Sequence, residues 1–201
     1  MIGTETNYAV LQGIIIHELE FSHKTYGEAF YETKISVERK SGYCDEIRVL
    51  LSDRLIPEKE IFIGDCVRIE GQVRTYNEEE DGKSRLNVVI FARQIEFCEE
   101  YFGENYIYLE GFICKPTVQR TSPLGREICD IMLAVNRMYN KSDYIPCIAW
   151  GRNAAYTGAL KVGDKLNVVG RIQSREYKKK LEDGSISDRI AYEVSILKID
   201  E

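Results

Sequence analysis

The sequence predicts an all-β protein made of two tandem copies of one barrel domain, at residues 1–100 and 101–201. The first observation behind this is an internal repeat: residues 7–15 read NYAVLQGII, and residues 105–113 read NYIYLEGFI. The offset of 98 persists in later segments and drifts by a few residues in polar stretches, as loop insertions between copies would cause. The second observation is an alternation of apolar and polar residues along each copy, which is typical of β-strands.

The order of elements within a copy indicates the type of barrel. Five strand-like segments cover about residues 106–114, 128–135, 144–150, 165–177 and 190–199. A helix-like segment, 152–160, lies between the third and fourth strands and ends before Gly163. Five strands with one helix in that place are typical of the OB-fold, a Greek-key barrel. The matching segment of the first copy, 52–60, contains Pro57, so we expect a short or kinked helix there.

Composition excludes several other classes of protein. The chain has 201 residues, 30% of them charged, and a net charge of −6, and apolar residues are spread along its whole length. No apolar run approaches the roughly 18 residues of a membrane span, and the amino terminus lacks the pattern of a signal peptide. The sequence therefore predicts a cytoplasmic protein with no membrane partner.

Cysteines and histidines give no sign of a metal site or a catalytic centre. The six cysteines include no C-x-x-C pair, so we interpret them as reduced thiols that pack as small apolar groups. His17 and His23 lie in a polar stretch without the partners of a catalytic set, and no glycine-rich phosphate loop is present. We therefore expect neither a metal nor a cofactor, and a protein that is not an enzyme.

Two strands of the second copy place aromatic and cationic residues on the outward side of the barrel. The fourth strand directs Leu166 to Ile172 inward at every second position, and its outward side carries Asn167, Arg171, Gln173, Arg175 and Tyr177. The third strand directs Tyr144 and Trp150 outward. Interleaved aromatics and cations bind single-stranded nucleic acid, because bases stack on rings and cations contact phosphates. Alternation alone equally allows Trp150 to close the barrel core and the tyrosines to be ordinary sheet residues.

Three segments of the second copy closely resemble the bacterial single-stranded DNA-binding protein (SSB) family. They are LAVNR at 133–137, DYIPCIAWGRNA at 143–154 and VGRIQSREY at 169–177. The similarity covers about residues 105–199, and the opening N-x-x-x-L-x-G of both copies is similar to the first strand of that family.

The resemblance implies an OB-fold that binds single strands without reading their sequence. The positions where that family stacks bases fall on four aromatic residues, Tyr139, Tyr144, Trp150 and Tyr177. The candidate polar contacts beside them are Arg137, Arg171, Gln173, Arg175, Lys178, Lys179 and Lys180. The three lysines are either a solvated hairpin tip or a phosphate contact, and their nearness to Tyr177 and Arg175 favours the phosphate contact.

The first copy departs from this pattern. The positions that match the four aromatics are Ser41, Glu46, Ser52 and Glu78, although Tyr43 and Tyr76 lie nearby. Residues 1–100 hold 12 Lys or Arg against 20 Asp or Glu, a net of −8, whereas residues 101–201 hold 15 against 13, a net of +2. We therefore expect a degenerate first domain with a structural or docking role, and a second domain that binds the nucleic acid.

The expected partners are single-stranded DNA or RNA and proteins of DNA replication, recombination or repair, at the nucleoid. Two fused copies suggest an internal pseudo-dimer or a homo-oligomer. The chain ends directly after its last strand, whereas general replication members of the family usually carry an acidic tail, so we expect an accessory paralogue, for example of a plasmid, phage or primosome system. A primosome-type protein-interaction module with weak or no DNA affinity is the alternative, and a nucleic-acid-modifying enzyme is a more distant one.

Overall fold

The computed structural model describes residues 5–80 and 82–200, which form twelve strands and one α-helix. The first six strands are β1 (Asn7–Ile15), β2 (Glu20–Thr25), β3 (Glu28–Glu38), β4 (Cys44–Ser52), β5 (Cys66–Glu80) and β6 (Lys83–Phe97). The second six are β7 (Asn105–Ile113), β8 (Val118–Thr121), β9 (Glu127–Arg137), β10 (Lys141–Trp150), β11 (Lys165–Lys180) and β12 (Ile186–Asp200), and helix α1 is Arg152–Gly158. No helix in the described ranges is long and apolar enough to span a membrane.

Each half folds as an OB barrel, and the predicted fold class is confirmed. In both halves the first strand pairs with the third and the fifth, and the fourth pairs in parallel with the sixth. Helix α1 lies in the predicted place in the second half, and its counterpart in the first half is a single 3₁₀ turn, Asp53–Leu55, two residues before Pro57. Each barrel also has a short edge strand, β2 or β8, that the sequence patterns did not predict.

The inward rows of the strands form the core, as the alternation predicts. In β11, Leu166, Val168 and Ile172 are buried, and β10 buries Ile145 and Ala149 in the same way. Gly170 lies at a bulge between β11 and β12, where an added Cβ would collide with the carbonyl oxygen of Ser195. The same bulge recurs in the first barrel, so this glycine match between the copies reflects a close approach of two backbones.

The repeated asparagine at the start of each copy ties two strands together. Asn7 donates its Nδ2 to the carbonyl of Val73 at 2.8 Å and accepts the N–H of the same residue at 2.9 Å. Asn105 makes the same pair of bonds with Ile172, at 2.8 and 3.0 Å. The side-chain amide thus replaces a missing strand partner, which satisfies backbone groups that would otherwise be buried unpaired.

The two barrels join through their first strands, which pair in antiparallel fashion. Ala9 lies opposite Ile107, its own equivalent in the repeat, and Asn7 lies opposite Leu109 while Leu11 lies opposite Asn105. The pairing therefore has the form of a twofold dimer contact within one chain. The short connection is also fixed, since the Gln12 amide bonds the backbone of Glu100 and Phe102 at 2.6 Å each.

A second pair of contacts between the barrels obeys the same pseudo-twofold relation. Asp45 of the first barrel accepts the backbone N–H of Ser174 at 2.8 Å, and Asp143 of the second accepts that of Thr75 at 2.8 Å. Both carboxylates are completely buried. Each aspartate thus anchors the long β-hairpin of the opposite barrel, so the hairpins cross from one barrel to the other.

Candidate functional site

A cleft of about 1030 Å³ lies between the long hairpins of the two barrels. The β5–β6 hairpin of the first barrel forms one wall, and the β11–β12 hairpin of the second forms the other. Asp130 and Met132 of β9 and Pro146 of β10 contribute its floor. The outward face of the second barrel, where the sequence predicts the binding surface, therefore opens into a groove bounded by both halves of the chain.

Four of the predicted contact residues line this cleft, namely Arg175, Tyr177, Lys179 and Lys180. The Arg175 guanidinium lies 5.9 Å from the centre of the Tyr177 ring, within the range of a cation–π contact. The third lysine of the run, Lys178, is exposed on the same hairpin. A flat ring with adjacent cations along one strand suits a polyanion that carries planar bases.

Tyr144 and Trp150 lie on the outward row of β10, as predicted. Tyr144 is 48% exposed and Trp150 is 36% exposed. The indole Nε1 of Trp150 lies 3.3 Å from the Oγ of Ser195 on β12, so its ring is anchored along one edge. Pro146 lies between the two aromatics in the same row and contributes to the cleft, whereas Ile148, also in that row, is buried.

Tyr139 is the most exposed of the four predicted aromatics, at 87%. It lies in the turn Met138–Asn140 between β9 and β10 and has a φ of 64°, a left-handed conformation that is uncommon for a residue with a side chain. Its neighbour Asn140 also has a positive φ, of 56°. The turn thereby presents the tyrosine ring to solvent at the end of the face that holds Tyr144.

Arg137 lies beside the Asp143 carboxylate as an ion pair without a hydrogen bond, since neither Arg137 Nε nor Asp143 Oδ2 has a hydrogen-bond partner within residues 5–80 and 82–200. Its Nε lies 3.0 Å from the Oδ2 of Asp143, whose other neighbours are the Arg74 guanidinium at 3.6 Å and the Thr75 N–H. Burial raises the pKa of the Asp143 carboxyl, and the Thr75 hydrogen bond and the two arginines oppose this rise. Arg137 thus pairs, within its own barrel, with the carboxylate that contacts the other barrel.

Gln173 and Arg171 differ from the sequence-based expectation of an open polar row. Gln173 is only 6% exposed and donates its Nε2 to Glu193 at 2.9 Å, so its amide is not presented to solvent. Gln173 lies between Ile172, which is buried in the core of its own barrel, and Ser174, which is buried against β4 of the other barrel. Arg171 is half-buried, and its Nε has no hydrogen-bond partner within residues 5–80 and 82–200.

Comparison with known proteins matches the second half of the chain to a recognised family. The sequence model of the Single-strand binding protein family matches residues 104–200. The single-stranded DNA-binding protein of Clostridium tetani is 32% identical over 103 residues, which cover 46% of this chain and 70% of the relative. Single-stranded DNA-binding protein 2 of Clostridium acetobutylicum is 33% identical, and the match covers 46% of this chain and 76% of the relative. The chain belongs to the single-strand binding protein family.

A solved structure supports the tandem arrangement at the level of the fold. The wild-type single-stranded DNA-binding protein from Thermus aquaticus superimposes with a TM-score of 0.77 at 22% sequence identity, covering 96% of this chain and 91% of that one. Because the superposition extends over both barrels, the likeness concerns their arrangement as well as the fold of each.

In the first barrel, residues at positions that match the four predicted aromatics of the second make hydrogen bonds within their own barrel. Ser52 is buried, bonds Glu28 and accepts the N–H of Arg54, so it caps the 3₁₀ turn. Glu78 is exposed and accepts a bond from Asn87 at 3.1 Å. Tyr76 accepts a hydrogen bond from Arg48 at 2.8 Å. Of the acidic run 78–81, Asp81 lies outside the described residues.

Several residues of the cleft were not predicted from the sequence. They are Arg120, Arg189 and Tyr192 of the second barrel and Lys83 and Arg85 of the first. Arg189 lies directly opposite Tyr177 in the β11–β12 register, and pairing the strands outward from the Asp183-Gly184 turn would have placed it there. Lys83 and Arg85 reach the cleft only because the hairpins cross between barrels, which strand patterns do not reveal.

No cluster of three or more metal-ligating side chains occurs in the described ranges, and all six cysteines are free. Cys129 and Cys147 are buried. Burial raises the pKa of the Cys147 thiol well above its ordinary value, which keeps it protonated. These buried thiols pack as small apolar groups in the second barrel.

Proposed function

We propose that this chain binds single-stranded DNA without sequence preference, on the outward face of its second barrel. One observation carries the proposal: four exposed aromatics, Tyr139, Tyr144, Trp150 and Tyr177, lie on β10, β11 and the turn before β10 of the second barrel, and Tyr177 lines a cleft that holds cations. Rings accept any base by stacking, and cations follow the phosphates, so neither contact depends on sequence. The DNA-binding activity named for the Clostridium relatives supports the same assignment.

The cations of the cleft give the proposal its electrostatic part. Arg175, Lys179 and Lys180 lie within one short segment of β11, next to the Tyr177 ring. Each phosphate neutralised by such a cation releases a counterion, so affinity should fall linearly with salt on a double logarithmic scale. Gln173, being buried, is left out of the proposed contact surface.

We assign the first barrel a mainly structural role beside the second, and the whole chain a role in replication, recombination or repair. Its barrel completes the pseudo-twofold pair through β1, and its acidic hairpin forms a wall of the cleft. With such a ligand, we propose that the protein acts at the nucleoid. RNA also offers flat bases and phosphates, so an oligo-U competitor measures the preference between the two nucleic acids.

Tryptophan fluorescence tests the proposal directly, because Trp150 is the only tryptophan. Titration with oligo-dT should quench its emission, and increasing salt should weaken the binding. Unchanged emission up to tens of micromolar oligonucleotide would refute the stacking role of Trp150, and retention of a replication or repair protein under those conditions would favour a protein-interaction module.

A pair of variants separates the two barrels. Trp150→Ala should weaken oligo-dT binding, measured by anisotropy of a labelled strand, by about 1–3 kcal/mol for the stacked base. Ser52→Ala is the matched control, since Ser52 is the equivalent residue of the first barrel. Its side chain is buried and caps a 3₁₀ turn, so it is not available to stack on a base. Equal losses of affinity in both variants would contradict the assignment of the site to the second barrel.

A further inference from the structure

Two arginines, one from each barrel, meet on a single carboxylate at the wall of the cleft. Oε2 of Glu80 lies 2.8 Å from a terminal nitrogen of Arg189 and 3.5 Å from one of Arg85. The hydrogen bond from Arg189 lowers the pKa of Glu80, which therefore stays ionised. Lys83 and Glu182 form a second ion pair between the same hairpins, at 2.5 Å. The acidic hairpin of the first barrel is thus held against the basic hairpin of the second.

The position of Arg189 connects this cluster to the proposed binding surface. Arg189 lies opposite Tyr177 in the strand register, and both line the cleft together with Lys179, Lys180 and Arg85. The Arg189 side chain is only 15% exposed, so it is directed into the groove instead of into bulk solvent. The backbone of a strand stacked on Tyr177 would pass beside the Glu80 carboxylate, which is paired with Arg189 in this structure.

The chemistry of the cluster identifies the ligand that fits it. Guanidinium groups recognise carboxylates and phosphates through the same forked geometry, and a phosphodiester offers two oxygens to two arginines. A carboxylate oxygen between two guanidiniums therefore stands where a phosphate oxygen would lie. We propose that Arg85 and Arg189 form an interdomain phosphate site for the bound strand, and that Glu80 fills this site in the free protein and leaves it on binding. This proposal rests on the single-stranded DNA binding proposed above.

The consequence is that the first barrel takes part in binding in two opposite ways. Its Arg85 contributes a phosphate contact, and its Glu80 competes with the phosphate for the same two arginines. Solvent screens an ion pair at the surface and keeps it weak, so removal of this competition should change affinity by a factor of only about two to five.

Two charge-matched variants of the same hairpin provide the test. Glu80→Gln and Glu79→Gln each remove one negative charge next to the cleft, but only Glu80 is paired with the arginines. We expect Glu80→Gln to bind a labelled oligo-dT about two to five times more tightly than Glu79→Gln does. Arg189→Gln should weaken binding and reduce the slope of log affinity against log salt by about one, as loss of one phosphate contact does. Combining Glu80→Gln with Arg189→Gln should abolish the gain.

The outcomes separate this proposal from the one on which it rests. If the unaltered protein binds oligo-dT and Glu80→Gln behaves as Glu79→Gln does, the interdomain site is refuted while single-strand binding stands. An unchanged salt slope in Arg189→Gln refutes it equally. If the unaltered protein does not bind, single-strand binding itself is refuted. Thermal unfolding of each variant establishes that the comparison is made on folded protein, and Arg189→Lys, which keeps the charge but not the fork, should retain the salt slope and lose affinity.

Discussion

Replacement of Asp143 by alanine should destabilise the whole chain, because this buried carboxylate joins the two barrels. The side chain is completely inaccessible, accepts the Thr75 N–H of the opposite barrel at 2.8 Å, and faces Arg137 at 3.0 Å and Arg74 at 3.6 Å. An orphaned buried N–H costs about 1–3 kcal/mol, and breaking a fully buried ion pair costs about 3–5 kcal/mol. The arginines remain partly exposed and regain some hydration, so we expect a loss of about 3 kcal/mol in all.

The assay is thermal and urea unfolding followed by circular dichroism. In a chain of this size, about 3 kcal/mol corresponds to a fall in Tm of roughly 6–12 °C. Glu176→Ala, an exposed carboxylate on the adjacent hairpin, is the control and should shift the midpoint by little. Asp45→Ala, the pseudo-symmetric change, should behave like Asp143→Ala. If Asp143→Ala shifts the midpoint no further than the control does, the carboxylate does not hold the barrels together.

Two further predictions concern the stability of the fold. Gly170→Ala should lower the free energy of unfolding by about 1–3 kcal/mol or more, because the new Cβ meets the carbonyl of Ser195; a urea midpoint equal to that of the unaltered protein would contradict the bulge geometry. The second concerns pH: since burial raises the pKa of Asp143 above its unfolded value, protonation of this group favours the folded state below about pH 4. This protonation-linked contribution is lost as the pH rises through the folded pKa, while the hydrogen bond from Thr75 remains. The stability advantage of the unaltered protein over Asp143→Asn should therefore shrink from pH 4 to pH 7 in urea titrations. An advantage that grows with pH would contradict a pKa raised by burial.

The sequence predicted features that depend on one strand and its immediate neighbours. Inward rows such as Leu166 and Val168 follow from period-two alternation, and the exposed tyrosine and tryptophan of β10 follow from the same rule. The short edge strands β2 and β8 were missed, because each lies in a polar segment whose residues are mostly exposed on both sides. Such strands form through pairing with a neighbour, and their own sequence carries no periodic signal.

The features that sequence patterns failed to predict all depend on contacts between the barrels. Gln173 continues an alternating row, but its strand runs against β4 of the other barrel at that point, and its side chain is consequently buried. Arg85 belongs to an acidic half of the chain, yet it reaches the cleft of the basic half. Both positions depend on contacts with the other barrel, so no local pattern could have indicated them.

The pairing of β1 with β7 has a consequence for the identity of the two halves. When two identical chains associate about a twofold axis, every substitution appears on both sides at once, and the two faces must remain self-complementary. In this chain the two sides of the axis are encoded separately, so a glutamate on one hairpin can face an arginine on the other without the reverse pairing having to exist. The covalent fusion thereby allows the two halves of a pseudo-symmetric scaffold to differ in charge, as Glu80 of one hairpin and Arg189 of the other do.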